Sequence, residues 1–158
     1  MLAPYSDIAD IGVRAYYAVV TEMDAQIGRL LARLDALGLR QNTLVLFTSD
    51  NGTPARPPAR DAGRRLSDTD TAGSNGPLRG WKWHLYEGGI RVPLIARWPG
   101  VVPAGRVDAT SVLNVCDFAP TFARLAGATL PADYRPDGVD ASAALRGAAF
   151  TRDAPLFW

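Results

Sequence analysis

Apolar residues recur with a helical period near the start of the chain. Tyr16, Val20, Met23, Ile27, Leu30, Leu34 and Leu37 follow spacings of 4, 3, 4, 3, 4 and 3, which lays one apolar stripe along an α-helix. Arg14, Glu22, Arg29, Arg33 and Asp35 fall off that stripe, and Gly38 supplies a stop. A coiled-coil seam would share this spacing, but the flanking charges form no consistent pairs. The expected arrangement is one helical face packed on a sheet.

After the helix the period changes. Thr43 to Thr48 is a continuous β-prone run bounded by Gln41-Asn42 and by Ser49-Asp50-Asn51-Gly52, as expected of a strand buried on both faces of a parallel sheet. Val92 to Trp98 is a second such run, with Pro93 near its entrance, where a missing donor is tolerated. Ser111 to Val115 is a third. It leads to Asp117, placed to cap a helix over 118–126 with Pro120 in the first turn and Gly127 past the end. A short helix is expected near 141–145. Alternating strands and helices predict an α/β fold, a mostly parallel sheet flanked by helices, in one domain over 1–158. Residues 53–77 are rich in Pro, Arg, Asp, Thr and Gly and read as a long polar loop.

Composition narrows the function classes. Hydrophobic residues make up 47% and charged residues 21% of the 158, a globular balance. Seventeen basic residues against sixteen acidic ones leave a net charge of +1, so no global field draws nucleic acid, and anion binding must be local. No apolar run approaches the ~20 residues of a membrane span. The N-terminal residues lack the basic and apolar regions of a secretory signal; compartment and oligomeric state are left open. Cys116, the one cysteine, excludes an intramolecular disulfide. Beside an apolar helix it is expected to be a buried thiol.

Two segments carry candidate chemistry. Asp50 and Asn51, at the end of a predicted strand, offer hard oxygen donors suited to Ca²⁺ or Mg²⁺, and Gly52 lets the chain turn sharply. Two residues cannot complete a shell of six or more oxygens, and a plain Asp-Asn-Gly turn is the bland alternative. Lys82 lies in Arg79-Gly80-Trp81-Lys82-Trp83-His84-Leu85-Tyr86-Glu87-Gly88-Gly89. It is a compact cation able to pair with an oxyanion, or else a solvated surface group. His84 is a candidate pocket-lining, substrate-contacting group with a pKa suited to proton transfer, the alternative being a local scaffold role. Arg56, Arg60, Arg64 and Arg65 in the polar loop could steer an anionic ligand, but with Asp61, Asp68 and Asp70 interspersed a solvated insertion is the better account.

Taken in order, YYAVVTEMDAQIGRLLARLDALGL (16–39), SDNG (49–52), GPLRGWKWHLYEGGIRVPLIARWPG (76–100) and DFAPTFARLAG (117–127) resemble the latter part of a sulfatase catalytic domain. The resemblance implies a partial alkaline-phosphatase-like layered fold and a sulfuric ester hydrolase acting on a sulfated small molecule or glycan. It implies that Asp50 and Asn51 are one ligand pair for a divalent cation, generally Ca²⁺, and that Lys82 contacts the substrate sulfate. Glu87 and Arg91 read as local scaffold.

The departures bear on activity. The family nucleophile, a Cys or Ser converted to formylglycine, lies in a Cys/Ser-x-Pro-x-Arg motif that is absent from these 158 residues, and Cys116-Asp117-Phe118-Ala119-Pro120 has the wrong spacing. The chain therefore reads as an inactive fragment, entering and leaving the family pattern midway. Two alternatives stand beside it. One is a phosphodiesterase or phosphonate hydrolase of the same superfamily, distinguished by its upstream nucleophile. The other is a non-catalytic remnant that binds anions or a partner.

Overall fold

The structure, a computed structural model, describes residues 2–54, 72–153 and 155–157. The four loop arginines and their interspersed aspartates lie outside these residues.

The predicted helix forms as α1 (Ile11–Ala36). It begins earlier than the apolar stripe because Asp10 caps it: the carboxylate accepts from Gly12 N–H at 2.8 Å and Val13 N–H at 3.1 Å, satisfying two otherwise unpaired donors. It ends where Gly38 adopts φ +70. Gly38 N–H then reaches Asp35 O and Leu39 N–H reaches Leu34 O, both at 3.0 Å, the paired bonds of a Schellman stop. Before the helix, a 3₁₀ turn (Ala3–Tyr5) folds onto its first turns. Tyr5 packs its ring 5.7 Å from that of Tyr17 and shares a hydroxyl bond with Thr21.

The stripe is not packed as expected. Val20, Met23, Leu30 and Leu37 remain 39%, 45%, 58% and 51% exposed, and Ala18 is the helix's buried residue. The sheet also departs from the expectation of strands buried on both faces and mostly parallel. Among the described residues it has two short strands, β1 (Val45–Thr48) and β2 (Leu94–Arg97). Thr48 Oγ1 donates to Pro93 O at 2.8 Å, and Gly52 N–H donates to Gly89 O at 2.9 Å. As numbers rise along one segment they fall along the other, so the strands are antiparallel. Phe47 (41%) and Ile95 (60%) are exposed, because two strands alone cannot cover their own faces.

The chain divides into two compact units, Met1–Arg40 with Leu46–Ile95, and Gln41–Val45 with Ala96–Trp158. In the second, the expected third strand is absent: residues 111–114 are neither helix nor strand and lead into a 3₁₀ turn, Val115–Asp117. Polar side chains capture the backbone there. Asn114 accepts from Cys116 N–H at 3.0 Å, and Asp117 accepts from Asn114 N–H at 2.7 Å, a reciprocal capping box. Asp117 therefore caps this turn and not the following helix, α2 (Phe118–Ala126), which has no side-chain cap bond. Asp117 is fully buried, accepts from Val139 N–H at 2.9 Å and pairs with Arg152. Cys116, expected to be buried, is exposed, since the turn gives its carbonyl side to Gly138: a Cβ added there would meet Cys116 O at 2.1 Å. The short C-terminal helix forms as α3 (Ser142–Leu145), and Thr121 Oγ1 accepts from Ala141 N–H at 2.9 Å to fix its start.

Between β1 and β2 one helical turn, Glu87–Ile90, carries the glycine pair of the candidate site. No helix among the described residues is long and apolar enough to cross a membrane.

Candidate functional site

All four candidate residues lie in the first unit, at and beyond the C-terminal end of β1. Asp50 is exposed and Asn51 is half-buried. The Ser49 hydroxyl donates to Asn51 O at 3.0 Å and approaches Asp50 Oδ1 at 3.5 Å. Asn51 Nδ2 donates to Gly52 O at 3.0 Å, which consumes a donor and leaves the side-chain carbonyl as an oxygen acceptor.

Gly52 is buried because backbone packs directly on it. A Cβ there would lie 1.7 Å from Gly88 O, and one on Gly88 would lie 2.1 Å from Gly80 O. Real side chains never approach so closely, so the Gly88-Gly89 pair acts through the absence of side chains. This close approach brings the lysine segment to the strand end. Lys82 N–H donates to Thr53 O at 3.1 Å, and Gly88 N–H donates to Arg79 O at 2.7 Å.

A residue that the sequence reading passed over holds the same junction. The Asn75 carboxamide accepts from Thr53 N–H at 3.0 Å and donates to Gly80 O at 3.0 Å, with a longer contact to Thr53 O at 3.4 Å. It thereby bridges the segment after β1 to the segment before Lys82. The one hint in the sequence is Ser74-Asn75-Gly76, a turn-forming cluster, but a long-range bridge has no periodic signature.

The Lys82 ammonium lies 5.8 Å from the centroid of the Trp83 ring, and among the described residues no carboxylate forms an ion pair with it. His84 lies 4.2 Å from the Trp81 ring, tilted by 42°, and meets the Tyr86 ring edge-on at 6.0 Å. Its Nδ1 is buried without a hydrogen-bond partner among the described residues. Glu87 and Arg91 pair with each other at 3.4 Å, both well exposed. Such a surface pair is scaffold at most.

The oxygens of Asp50 and Asn51 fit a hard cation such as Ca²⁺ or Mg²⁺ by donor type. Among the described residues no group of three or more His, Cys, Asp or Glu could hold a metal ion. The pair therefore fits as part of a shell whose remaining ligands come from elsewhere.

A family model described as "Sulfatase" matches residues 8–128. Steryl-sulfatase of Mus musculus is 47% identical over 135 residues, which are 85% of this chain and 20% of that protein. N-acetylgalactosamine-6-sulfatase of Canis lupus familiaris is 38% identical over 143 residues, 90% of this chain and 25% of that protein. Among solved structures, Ps i-CgsB in complex with k-i-k-neocarrahexaose superposes with a TM-score of 0.71 at 30% identity, over 93% of this chain and 30% of that one. A second structure, from work on the metabolism of multiple glycosaminoglycans by Bacteroides thetaiotaomicron, gives a TM-score of 0.61 at 31% identity, covering 82% and 26%. The chain thus spans 20% and 25% of these two curated relatives' length, while 85% and 90% of its own length aligns with them.

Proposed function

The chain belongs to the sulfatase family, and from that premise we propose that it supplies part of the site of a metal-dependent sulfate-ester hydrolase, with an alkaline-phosphatase-like fold. The substrate is a sulfated small molecule or glycan, cleaved by water to an alcohol and sulfate. Asp50 and Asn51 would be two of the ligands of a Ca²⁺ ion, or of Mg²⁺ in its place, and Lys82 grips the sulfate. The observation that carries this reading is the 3.1 Å bond from Lys82 N–H to Thr53 O, which ties the lysine backbone to the residues just after Asn51.

A bound divalent cation would neutralise negative charge on the sulfate oxygens. The Lys82 ammonium adds a second positive charge, placed in advance so that little reorganisation accompanies reaction. Asn51 spends its Nδ2 on Gly52 O and keeps its side-chain carbonyl as a neutral ligand oxygen beside the Asp50 carboxylate. His84, between the rings of Trp81 and Tyr86, is a further substrate contact in this reading.

Covalent catalysis needs a nucleophile, and the Cys/Ser-x-Pro-x-Arg motif is absent from this sequence. The 158-residue chain alone therefore gives no multiple turnover on 4-nitrophenyl sulfate, with or without Ca²⁺. With only two protein ligands and water to complete the shell, its Ca²⁺ binding in calorimetric titration is expected to be weak, in the millimolar range or beyond, and Asp50→Ala abolishes it. Sustained hydrolysis by the chain, or Ca²⁺ binding indifferent to Asp50→Ala, would overturn these roles.

A further inference from the structure

Trp83 stands next to Lys82 in a conformation that bulky residues avoid. Its φ is +76, and every other residue with positive φ among those described is a glycine. The cause is a tight turn: His84 N–H closes onto Trp81 O at 2.9 Å. This places Lys82 and Trp83 at the two central positions, and a turn with positive φ only at the second is of type II. That position is normally glycine or asparagine, because a Cβ there crowds the backbone. The turn is held from both sides. Lys82 N–H is fixed to Thr53 O at 3.1 Å, and Trp81 O packs so closely on Gly89 that a Cβ there would lie 2.6 Å from it. Surroundings that over-determine a strained residue are what allow the strain to persist.

Packing among the described residues gives no reason for the tryptophan, which is 73% exposed. What the conformation does achieve is to present an exposed indole with the ammonium of Lys82 over its ring, Nζ lying 5.8 Å from the ring centroid. Glycine at this position would fold with less strain and present nothing.

We propose that Trp83 is a specificity-determining residue: its indole stacks on the ring of a ring-bearing sulfate ester, aryl or pyranose, whose sulfate is held by Lys82. This rests on the role assigned to Lys82 above. A flat indole offers a large apolar face at low conformational cost, and stacking on an aryl face or on the C–H face of a sugar uses it fully. The Lys82 ammonium and the neighbouring indole, 5.8 Å apart, match the two parts of such an ester, its sulfate and its ring.

The test is calorimetric titration of the full 158-residue chain, as wild type, Trp83→Gly and Lys82→Met, with inorganic sulfate, 4-nitrophenyl sulfate and galactose 6-sulfate. Trp83→Gly is expected to raise the melting temperature by removing the strained side chain. It weakens the preferred ring-bearing ester about 3- to 10-fold while leaving inorganic sulfate within about twofold. Lys82→Met weakens all three. Whichever ester loses more on Trp83→Gly identifies the ring. Equal ratios of ester to sulfate affinity in wild type and Trp83→Gly overturn the stacking role while the Lys82 reading stands. Sulfate affinity unchanged by Lys82→Met, or no binding of either ester, overturns both. A Trp83→Gly chain that melts lower than wild type overturns the strain argument and the proposal with it.

Discussion

Replacing Asn75 with alanine tests whether one side chain joins the two halves of the candidate site. The substitution removes a bond from Thr53 N–H and a bond to Gly80 O, both at 3.0 Å; the contact with Thr53 O, at 3.4 Å, is too long to weigh equally. Each lost bond costs about 1 kcal/mol net, and each backbone group left unpaired in a half-buried place adds up to about 1 kcal/mol more. The sum is a loss of about 2–4 kcal/mol, a large share of the ~5–15 kcal/mol typical of a domain. Urea unfolding followed by circular dichroism measures it as a lower midpoint with unchanged slope. Asn75→Asp separates the two bonds: it keeps an acceptor for Thr53 N–H but sets an anionic oxygen against Gly80 O. That neighbour favours the protonated carboxyl, which regains a donor. The deficit of the Asp variant therefore narrows as pH falls through the raised pKa of that carboxyl toward about 4, and levels off below it, where the unfolded chain is protonated as well. A loss under about 0.5 kcal/mol for Asn75→Ala, within the range of ordinary surface changes, would refute the bridging role.

Other substitutions probe the rest of the account. Gly52→Ala puts a methyl 1.7 Å from Gly88 O, and backbone must move to admit it; thermal melting should fall by several degrees, and amide exchange at Gly52 and Lys82 should speed up. Arg152→Ala leaves the fully buried Asp117 carboxylate without its cation and should cost about 3 kcal/mol in urea unfolding, whereas Arg124→Ala, whose partner Asp140 is 4.0 Å away on the surface, should cost under about 1 kcal/mol. Asp108 accepts from Ser111 N–H first, then Thr110 N–H, which hold its carboxyl well below the usual carboxylate range. The folded form then binds fewer protons than the unfolded one, so this contribution is present above about pH 4 and is lost as pH falls toward the depressed value. Asp108→Asn should flatten the acid side of the melting-temperature profile.

Local patterns were legible in the sequence, and long-range ones were not. The spacing from Tyr16 to Leu37 located α1, and Gly38 and Gly127 marked its end and that of α2, because helix period and left-handed stops are set by neighbouring residues. The runs around Val45–Thr48 and Leu94–Arg97 were visible as strands, but a continuous apolar run reads alike in either direction, so their antiparallel pairing was not. The run from Ser111 to Val115 has strand composition, yet Asn114 and Asp117 bond the backbone locally and draw its end into a turn. At the site, Asp50, Asn51 and Lys82 stood out by residue type and order. Asn75 did not, since its bonds to Thr53 and Gly80 are set only by the fold. Trp83 gave no sign either: its positive φ follows from the turn that Trp81 and His84 close.

In the proposed function, Asp50 and Lys82 act on one anion together with a cation. A double-mutant cycle tests this most directly: sulfate affinity of the full chain in saturating Ca²⁺, for wild type, Asp50→Ala, Lys82→Met and the double variant. Groups sharing one site are predicted to couple by about 0.5–3 kcal/mol, with sulfate binding in Asp50→Ala no longer responding to Ca²⁺. Strictly additive losses, with Ca²⁺ and sulfate binding independent of each other, would contradict the claim that the two regions form a single site.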